Sequence, residues 1–293
     1  MSEMKYVLIT PARNEEEFIE KTIKSVINQT ILPIKWIIVS DGSTDDTADI
    51  VREYAGKHDF IDLISTIDES ERVFSSKVRA FNLGYEKVKN FEYNFIGNLD
   101  ADIACDEIYF EKILEKFQHN SKLGIAGGDR YDLVNNEFIK VTRSSNSVAG
   151  AVQLFSRECF AAINGYRPLD YGGIDAVTES MARFEGWDVK TFSDVIFYHY
   201  RRTGTAEDNI LKARYNSGIK EYLIGYHPLF EIFRIFSKIH IKPYLVGSLA
   251  WFYGFILANI KNIKRPVPAD FVKKLRKEQI NRIKASLKKF ISP

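Results

Sequence analysis

The sequence predicts an α/β fold with a mostly parallel sheet flanked by helices, followed by a C-terminal helical appendage. Through the first 130 residues, short apolar runs alternate with longer amphipathic segments, which is typical of strands and helices in a parallel sheet covered on both faces. The chain has 293 residues, of which 45% are hydrophobic, enough for one large domain with an appendage. From residue 226 onward, aromatic residues and then basic residues dominate, and this change in composition marks the appendage.

The periodicity of apolar residues assigns the elements of the first half. Short runs rich in β-branched and aromatic residues predict strands at 6–10, 36–39, 61–64 and 93–98. Amphipathic segments between them predict helices at 15–29, 44–57 and 75–89. The first of these helices has apolar residues on one side at Ile19, Ile23, Val26 and Ile27, the spacing of a helix that covers a core. Ser43 or Thr44 is predicted to cap the second helix.

Polar residues follow the predicted strands, at the edge where open α/β sheets bind ligands. They are Asn14, Asp41, Asp100 and Asp102. In an extended segment Asp100 and Asp102 share one face, so both carboxylates can point at one ligand. Two hard oxygen ligands suit Mg²⁺ or Mn²⁺ held jointly with a diphosphate. An isolated Asp-x-Asp is usually an acidic loop, but its position after an apolar strand favours binding.

A second polar segment, Ser40 to Thr44, follows the second strand. Gly42 permits a tight turn, and Asp41 can accept hydrogen bonds from a nucleobase imide or a ribose hydroxyl. Ordinary turn chemistry is the alternative for this segment. No G-x-G-x-x-G or P-loop sequence occurs, which disfavours dinucleotide and Walker-type phosphate sites.

Charge and cysteine content indicate the cellular location and the class of partner. Cys105 and Cys159 are too few for a disulfide framework, and the first residues lack the plan of a signal peptide, so a cytoplasmic location is expected. The net charge of +2 hides a balance of −7 over 1–260 and of +9 over 261–293. An acidic body and the lack of a recognition motif disfavour nucleic acid as a partner.

Four segments occur in a fixed order: Pro11-Ala12-Arg13-Asn14-Glu15, Ser25-Val26-Ile27-Asn28-Gln29-Thr30, Val39 to Thr47, and Asp100-Ala101-Asp102. Over roughly residues 5–205 their order and spacing resemble family 2 glycosyltransferases, whose GT-A fold is Rossmann-like. The resemblance implies an inverting transfer from a nucleotide sugar, expected to be a UDP-sugar, with a divalent Mn²⁺ or Mg²⁺ ion. It also implies a GT-A domain over 1–225, with a nucleotide-binding half (1–122) and an acceptor half (123–225).

The resemblance further implies roles for individual residues. Asp102 would bind the metal, Asp100 the metal and the ribose or sugar, and His199 a third metal position, although a lone histidine at a strand end is more often structural. The remaining residues implied to contact the nucleotide sugar are Pro11, Arg13, Glu15, Asp41, Lys77, Arg79, Asn82, Arg201 and Arg202.

The family also places a Glu-Asp pair eleven residues before a glycine followed by an aromatic residue. Here Asp175 stands eleven residues before Gly186-Trp187, and Ile174 occupies the position of the family's glutamate. The resemblance implies that Asp175 is the general base that takes the proton of the acceptor hydroxyl. A surface carboxylate before a helix is the alternative.

Residues 226–293 are predicted to be a helical tail that associates with a membrane or forms a homodimer. The segment 244–260 has seventeen residues without formal charge, short of the ~20 needed to span a bilayer. Its alternative is a helix that lies in the membrane interface, with Trp251 and Tyr253 at headgroup level. The segment 271–290 has the pattern of a basic amphipathic helix, which attracts anionic lipid. The alternative is that both helices pack on protein.

The expected activity is therefore glycosyl transfer to a glycan or lipid-linked acceptor, at the inner face of the cell membrane, in glycolipid or surface-polysaccharide synthesis. Two alternatives remain open. One is transfer to a polyprenyl phosphate, and the other is a non-catalytic sugar-nucleotide-binding or scaffold protein.

Overall fold

The computed structural model describes residues 4–67, 74–142, 144–201, 210–237, 239 and 243–291, with side chains up to residue 287. The chain forms two compact units. The first comprises Met1–Pro168 and Ile174–Arg202, and the second comprises Leu169–Gly173 and Thr203–Pro293.

The first half of unit 1 is a parallel sheet covered by helices, which confirms the predicted fold class. Its strands are β1 (Tyr6–Ala12), β2 (Lys35–Asp41), β3 (Ile61–Thr66) and β4 (Phe95–Leu99), and their spatial order is β3-β2-β1-β4. The intervening helices are α1 (Ile19–Ile27), α2 (Thr47–Ala55) and α3 (Phe74–Val88). The carboxyl ends of all four strands therefore lie at one edge of the sheet.

The second half of unit 1 extends the same sheet with mixed pairing. Its elements are β5 (Ile103–Cys105), α4 (Tyr109–His119), β6 (Leu123–Val134), β7 (Glu137–Lys140), β8 (Val152–Ser156), α5 (Arg157–Ala162), α6 (Ile174–Phe184) and β9 (Asp188–His199). Strand β8 runs antiparallel to β4 and to β6, whereas β6 and β9 are parallel. The β6–β9 register places Asp132 opposite His199, and this pairing builds part of the site below.

The core of unit 1 has two layers, because successive residues of each strand point to opposite faces. In β1, Tyr6 and Leu8 pack with α1 and α4, while Val7 and Ile9 pack with α3 and α5. Each large side chain buried in this way contributes about 1.5–3 kcal/mol. The sheet is therefore packed on both faces by buried side chains.

The loops after β1 and β2 are tied to each other, which corrects the predicted helix cap. Helix α2 begins at Thr47, and Ser43 and Thr44 precede it without capping it. The Ser43 hydroxyl instead accepts a hydrogen bond from the Asn14 N–H (3.2 Å), and Asn14 Oδ1 accepts one from the Thr44 N–H (2.9 Å). Helix α1 likewise starts at Ile19 rather than at Glu15, because residues 13–16 belong to the first of these two hydrogen-bonded loops.

Unit 2 is helical, as predicted for the tail. It contains α7 (Ile210–Ile224), α8 (Pro228–Ser237), α9 (Tyr244–Ile260) and α10 (Ala269–Ile291). Helices α7 and α9 approach closely at two glycines, since a Cβ on Gly218 would collide with the backbone of Trp251 and one on Gly254 with that of Tyr215. None of the described helices has both the length and the apolar character required to cross a membrane. The tail was predicted to begin at residue 226, whereas the second compact unit begins before α7 and includes it.

Helix α10 is the predicted basic amphipathic helix. Its apolar residues Phe271 and Leu275 are buried within the protein, and Gln279 accepts a hydrogen bond from the His227 N–H (2.8 Å). The packing alternative therefore describes the first half of this helix, and its apolar side is not available to lipid there.

Candidate active site

The polar residues singled out at the strand ends converge at one edge of the sheet of unit 1. Asp41 ends β2 and is buried, with one carboxylate oxygen accepting a hydrogen bond from Thr66 Oγ1 (2.9 Å). Asp100 and Asp102 follow β4, and His199 ends β9, where it pairs with Ile103 of β5. The sheet therefore brings residues nearly 100 positions apart to one place.

Asp102 and His199 belong to a chain of four buried groups. His199 Nε2 lies 3.4 Å from Asp102 Oδ2, and His199 Nδ1 lies 3.1 Å from Asp132 Oδ1. Arg130 donates from Nε and Nη2 to the two oxygens of Asp132, at 2.6 Å each. The imidazole is thus held on one side by a carboxylate–guanidinium pair and presents Nε2 toward Asp102.

The electrostatics of this chain favour charged carboxylates. Burial alone would raise the pKa of Asp102, but the hydrogen bond from His199 and the nearby Arg201 and Lys77 hold it below its usual value. Burial likewise opposes ionisation of Asp132, yet Arg130 and His199 lower its pKa. Burial would lower the pKa of His199, but its contact with Asp102 raises it.

Asp102 and His199 are suited to bind a divalent cation together. In octahedral coordination with bonds of about 2.1 Å, neighbouring ligand atoms lie about 3 Å apart, close to the 3.4 Å between Asp102 Oδ2 and His199 Nε2. Histidine ligands commonly donate their second N–H to a carboxylate, the position that Asp132 occupies. No group of three or more His, Cys, Asp and Glu side chains suited to a metal occurs within the part of the chain that the structure describes.

Arg201 is held beside the same aspartate. It donates to both carboxylate oxygens of Glu15 (3.2 and 2.6 Å), and its Nε lies 4.0 Å from Asp102 Oδ2. Its guanidinium also lies over the ring of Phe18. Of the two predicted arginines, Arg201 is thus brought to the site through Glu15, and Arg202 lies outside the described residues.

Asp100 faces a lysine and an amide rather than His199. Lys77 Nζ lies 2.5 Å from Asp100 Oδ1 and donates to the carbonyl oxygen of Gly150 (3.2 Å). The Asn98 amide donates to the same two groups, at 3.2 Å and 2.8 Å. Burial raises the pKa of Asp100, and Lys77 opposes this rise. Among the described residues, Asn98 Oδ1 is buried without a hydrogen-bond partner.

Asp175 reaches this cluster through Gly150. It lies in the first turn of α6, where the helix N-terminus favours a carboxylate. A Cβ added to Gly150 would lie 3.0 Å from Asp175 Oδ2, a close contact that the absence of a side chain at Gly150 avoids. Gly150 therefore separates Asp175 from the Lys77–Asp100 pair by a single residue.

Glu179, one turn after Asp175, holds that loop in place. Its carboxylate accepts hydrogen bonds from the Val148 N–H (2.8 Å) and from Ser147 Oγ (3.3 Å). Gly186 and Trp187, which supported the assignment of Asp175, close the C-terminus of α6, where both backbone N–H groups bond to the last turn. The spacing from Asp175 thus equals one helix and its cap.

The other predicted residues are less closely gathered. Arg79 lies on the exposed side of α3 and donates to Ser75 (3.0 Å) and Ser76 (2.8 Å). Asn82 is exposed one turn further along, while Pro11 and Arg13 flank the end of β1. The residues that sequence reasoning missed are Arg130, Asp132, Asn98, Gly150 and Glu179.

A comparison with protein families identifies the class of protein. The model of glycosyl transferase family 2 matches residues 7–171, more than half of the chain. The chain belongs to this family, as the resemblance implied.

The relatives found by sequence include polysaccharide synthases. The chain is 29% identical over 204 residues to a poly-beta-1,6-N-acetyl-D-glucosamine synthase of Staphylococcus epidermidis, an alignment covering 64% of this chain and 46% of the relative. A synthase of the same name from Staphylococcus aureus (strain COL) is 33% identical over 116 residues, covering 40% of this chain and 26% of the relative. The chain thus spans less than half the length of these relatives.

Solved structures share the fold. S. aureus TarS 1-349 in complex with UDP-GlcNAc superposes with a TM-score of 0.63 at 18% identity, covering 93% of this chain and 84% of TarS. The mannosyltransferase PcManGT from Pyrobaculum calidifontis, in complex with GDP-Man and Mn²⁺, gives 0.57 at 15% identity, covering 88% and 74%. At these identities the likeness establishes the GT-A fold alone.

Proposed function

We propose that this glycosyltransferase transfers a sugar from a UDP-sugar to a hydroxyl group of a glycan or glycolipid acceptor, with inversion at the anomeric carbon. One observation carries the proposal. Asp100 on the donor side and Asp175 on the acceptor side meet at Gly150, whose carbonyl oxygen shares Lys77 with Asp100.

The donor would lie along the ends of β1, β2 and β4. Asp41 presents a buried carboxylate for the nucleoside, and Lys77 offers a positive charge for the phosphates or for Asp100. Asp102 and His199 would hold a divalent cation, Mn²⁺ or Mg²⁺, together with the diphosphate. When bound, such an ion stabilises the negative charge that develops on the departing diphosphate.

In the proposed transfer, the acceptor oxygen bonds to the anomeric carbon as the bond from that carbon to the diphosphate oxygen breaks. Asp175 accepts the proton of the attacking hydroxyl, so the carboxylate becomes neutral as the acceptor oxygen becomes the glycosidic oxygen. Glu179 and Gly150 keep the loop beside Asp175 in position. Ile174 offers no second carboxylate, so Asp175 would act alone.

UDP-N-acetylglucosamine is the first donor to test. The relatives are named for a polymer of N-acetylglucosamine, and TarS was solved with UDP-GlcNAc. We also propose that the transfer extends a surface polysaccharide, although this chain spans less than half the length of those relatives.

The test is release of UDP from a panel of UDP-sugars with Mn²⁺ or Mg²⁺, using membrane-extracted glycans and glycolipids as acceptors. We expect Asp102→Ala to lower the rate at least ~100-fold, as loss of a group that stabilises the transition state does. Asp62→Ala removes an exposed carboxylate of β3 that pairs with Lys35 and should leave the rate unchanged. Equal rates for the wild type and Asp102→Ala across the panel would favour the non-catalytic alternative.

A further inference from the structure

Helix α8 is built with its charged residues inside and its apolar residues outside. Glu231 is 0% exposed, while Leu229, Phe233 and Phe236 are 54%, 50% and 66% exposed. A helix that packs on a water-soluble domain shows the opposite arrangement. Each phenylalanine left in water forgoes part of the ~1.5–3 kcal/mol that burial would provide, so the exposed side of α8 is suited to an apolar environment.

The buried side of α8 is fixed by a polar cluster in unit 2. Arg234 lies 2.7 Å from Glu221 Oε1 of α7 and stacks over the ring of Trp251 of α9. The Trp251 indole N–H donates to Glu221 Oε2 (2.8 Å). These contacts set the rotation of α8 about its axis, so its apolar residues cannot turn inward without breaking them.

Helix α9 has an exposed apolar stripe of its own. Its members recur at helical spacing on the side away from the contact with α7: Leu245, Leu249, Tyr253 and Ile260. Together with Leu229, Ile232, Phe233 and Phe236 of α8 they are called the apolar stripes below. Exposed apolar area on two neighbouring helices indicates an interaction surface rather than scattered surface residues.

The charges around the stripes select the occupant. Between Tyr226 and Ala269 the chain has six Lys and Arg residues and a single carboxylate, Glu231, which is buried. Lys261 and Lys264 are exposed directly after α9. Apolar residues bordered by cations, with no exposed carboxylate in that stretch, are complementary to an anionic lipid surface. A symmetric contact between two copies would instead bring these lysines toward one another.

We propose that the apolar stripes of α8 and α9 insert into the headgroup region of an anionic membrane, with Lys261 and Lys264 at the lipid phosphates. The contact side of the tail is thus α8 and α9, whereas the first half of α10 turns its apolar side into the protein. This inference does not depend on the donor or on catalysis.

Binding of the full chain to vesicles tests the proposal. The probes are vesicles of phosphatidylcholine alone and of phosphatidylcholine mixed equally with phosphatidylglycerol. We expect sedimentation with the anionic vesicles, and an about hundredfold lower partition coefficient for Phe233→Ser/Phe236→Ser, about tenfold for each side chain. The matched control Phe91→Ser changes an exposed phenylalanine of unit 1 and should bind as the wild type does.

Two double charge reversals distinguish electrostatic attraction to anionic lipid from nonspecific adsorption. Lys261→Glu/Lys264→Glu should lower binding to anionic vesicles at least ~30-fold, since each cation near the surface is worth ~1 kcal/mol. Lys57→Glu/Lys89→Glu makes the same change in net charge on exposed sites of unit 1 and should bind more tightly than Lys261→Glu/Lys264→Glu. Circular dichroism should show that the variants are folded.

A fluorescent reporter locates the contact. Tyr253 is 60% exposed, and Tyr253→Trp should shift its emission to the blue on anionic vesicles and be quenched by brominated lipid. The proposal is overturned if the wild type does not bind anionic vesicles, or if Phe91→Ser loses as much binding as Phe233→Ser/Phe236→Ser. It is also overturned if light scattering shows a dimer that Phe233→Ser/Phe236→Ser disrupts and the other variants do not.

Discussion

The two units bury carboxylates in opposite ways. In unit 1, Asp132 and Glu15 each face an arginine, and Asp100 faces Lys77. In unit 2, Arg234 pairs with Glu221, and among the described residues neither oxygen of Glu231 has a hydrogen-bond donor. The first arrangement places a cation beside each of these carboxylates at the edge of a sheet, where a ligand can use them. The second keeps one carboxyl neutral and turns the apolar side of a helix outward.

This contrast predicts that single carboxylate changes in unit 1 affect chemistry, whereas those in unit 2 affect stability and its pH dependence. Three experiments test that division, and they run from the largest expected effect to the smallest.

Asp175→Asn should give the largest effect. The amide keeps the shape of the side chain but cannot take the acceptor proton, so kcat should fall by ~10²–10⁴ while the donor KM stays nearly constant. Steady-state rates at saturating acceptor measure this.

Glu158→Gln is the matched control for Asp175→Asn. Glu158 is also a carboxylate in the first turn of a helix of unit 1, α5, so both changes remove the same favourable interaction with a helix dipole. Glu158→Gln should leave kcat unchanged. Wild-type activity in Asp175→Asn would instead favour a polyprenyl-phosphate acceptor, which needs no strong base.

Asp132→Asn should weaken metal binding without touching a ligand. The carboxylate holds His199 Nδ1, and loss of such outer partners typically lowers metal affinity ~10–100-fold. Calorimetric titration of Mn²⁺ in the presence of UDP measures this without any turnover. If the affinity is unchanged, Asp132 serves packing alone.

Two further variants complete the test of Asp132. Asp129→Asn is the control on the same strand, because Asp129 pairs with Lys140 and not with His199. Arg130→Met/Asp132→Asn removes the buried cation together with its partner and guards against misfolding from an unpaired arginine.

The sequence predicted most of unit 1 because its signals are local. Strands β1 to β4 lie where apolar runs end in polar residues, and Asp102 and His199 do come together. Asp132 was missed because its role arises from the pairing of β6 with β9, which joins residues 67 positions apart. Arg130-Tyr131-Asp132 did carry a signal, since two opposite charges on one face of a strand indicate a buried pair.

Unit 2 was harder to predict for a related reason. The limits of α9 follow from its uncharged run, and they agree with the structure. The orientation of α8 does not follow from its own sequence, because Arg234 contacts Glu221 and Trp251 of other helices. Lipid contact was expected of the segments that form both α9 and α10, with Trp251 and Tyr253 of α9 at the headgroups. Tyr253 is exposed, whereas Trp251 of α9 and Phe271 and Leu275 of α10 are buried.

Glu231→Gln should give the smallest effect, and one that depends on pH. Burial and the neighbouring Glu221 raise the pKa of Glu231 well above its usual value. The folded state therefore keeps a proton that the unfolded state releases, and the free energy of unfolding falls as the pH rises from about 5 toward the raised pKa. Glutamine stays neutral, so the free energy of unfolding of the variant should rise relative to that of the wild type by up to ~1.4 kcal/mol between pH 6 and pH 7. Urea denaturation at both pH values measures the gap, with Glu115→Gln, an exposed glutamate of α4, as the control. A gap that does not change with pH would mean that Glu231 is ionised in the folded protein, and the contrast between the two units would then fail on the side of unit 2.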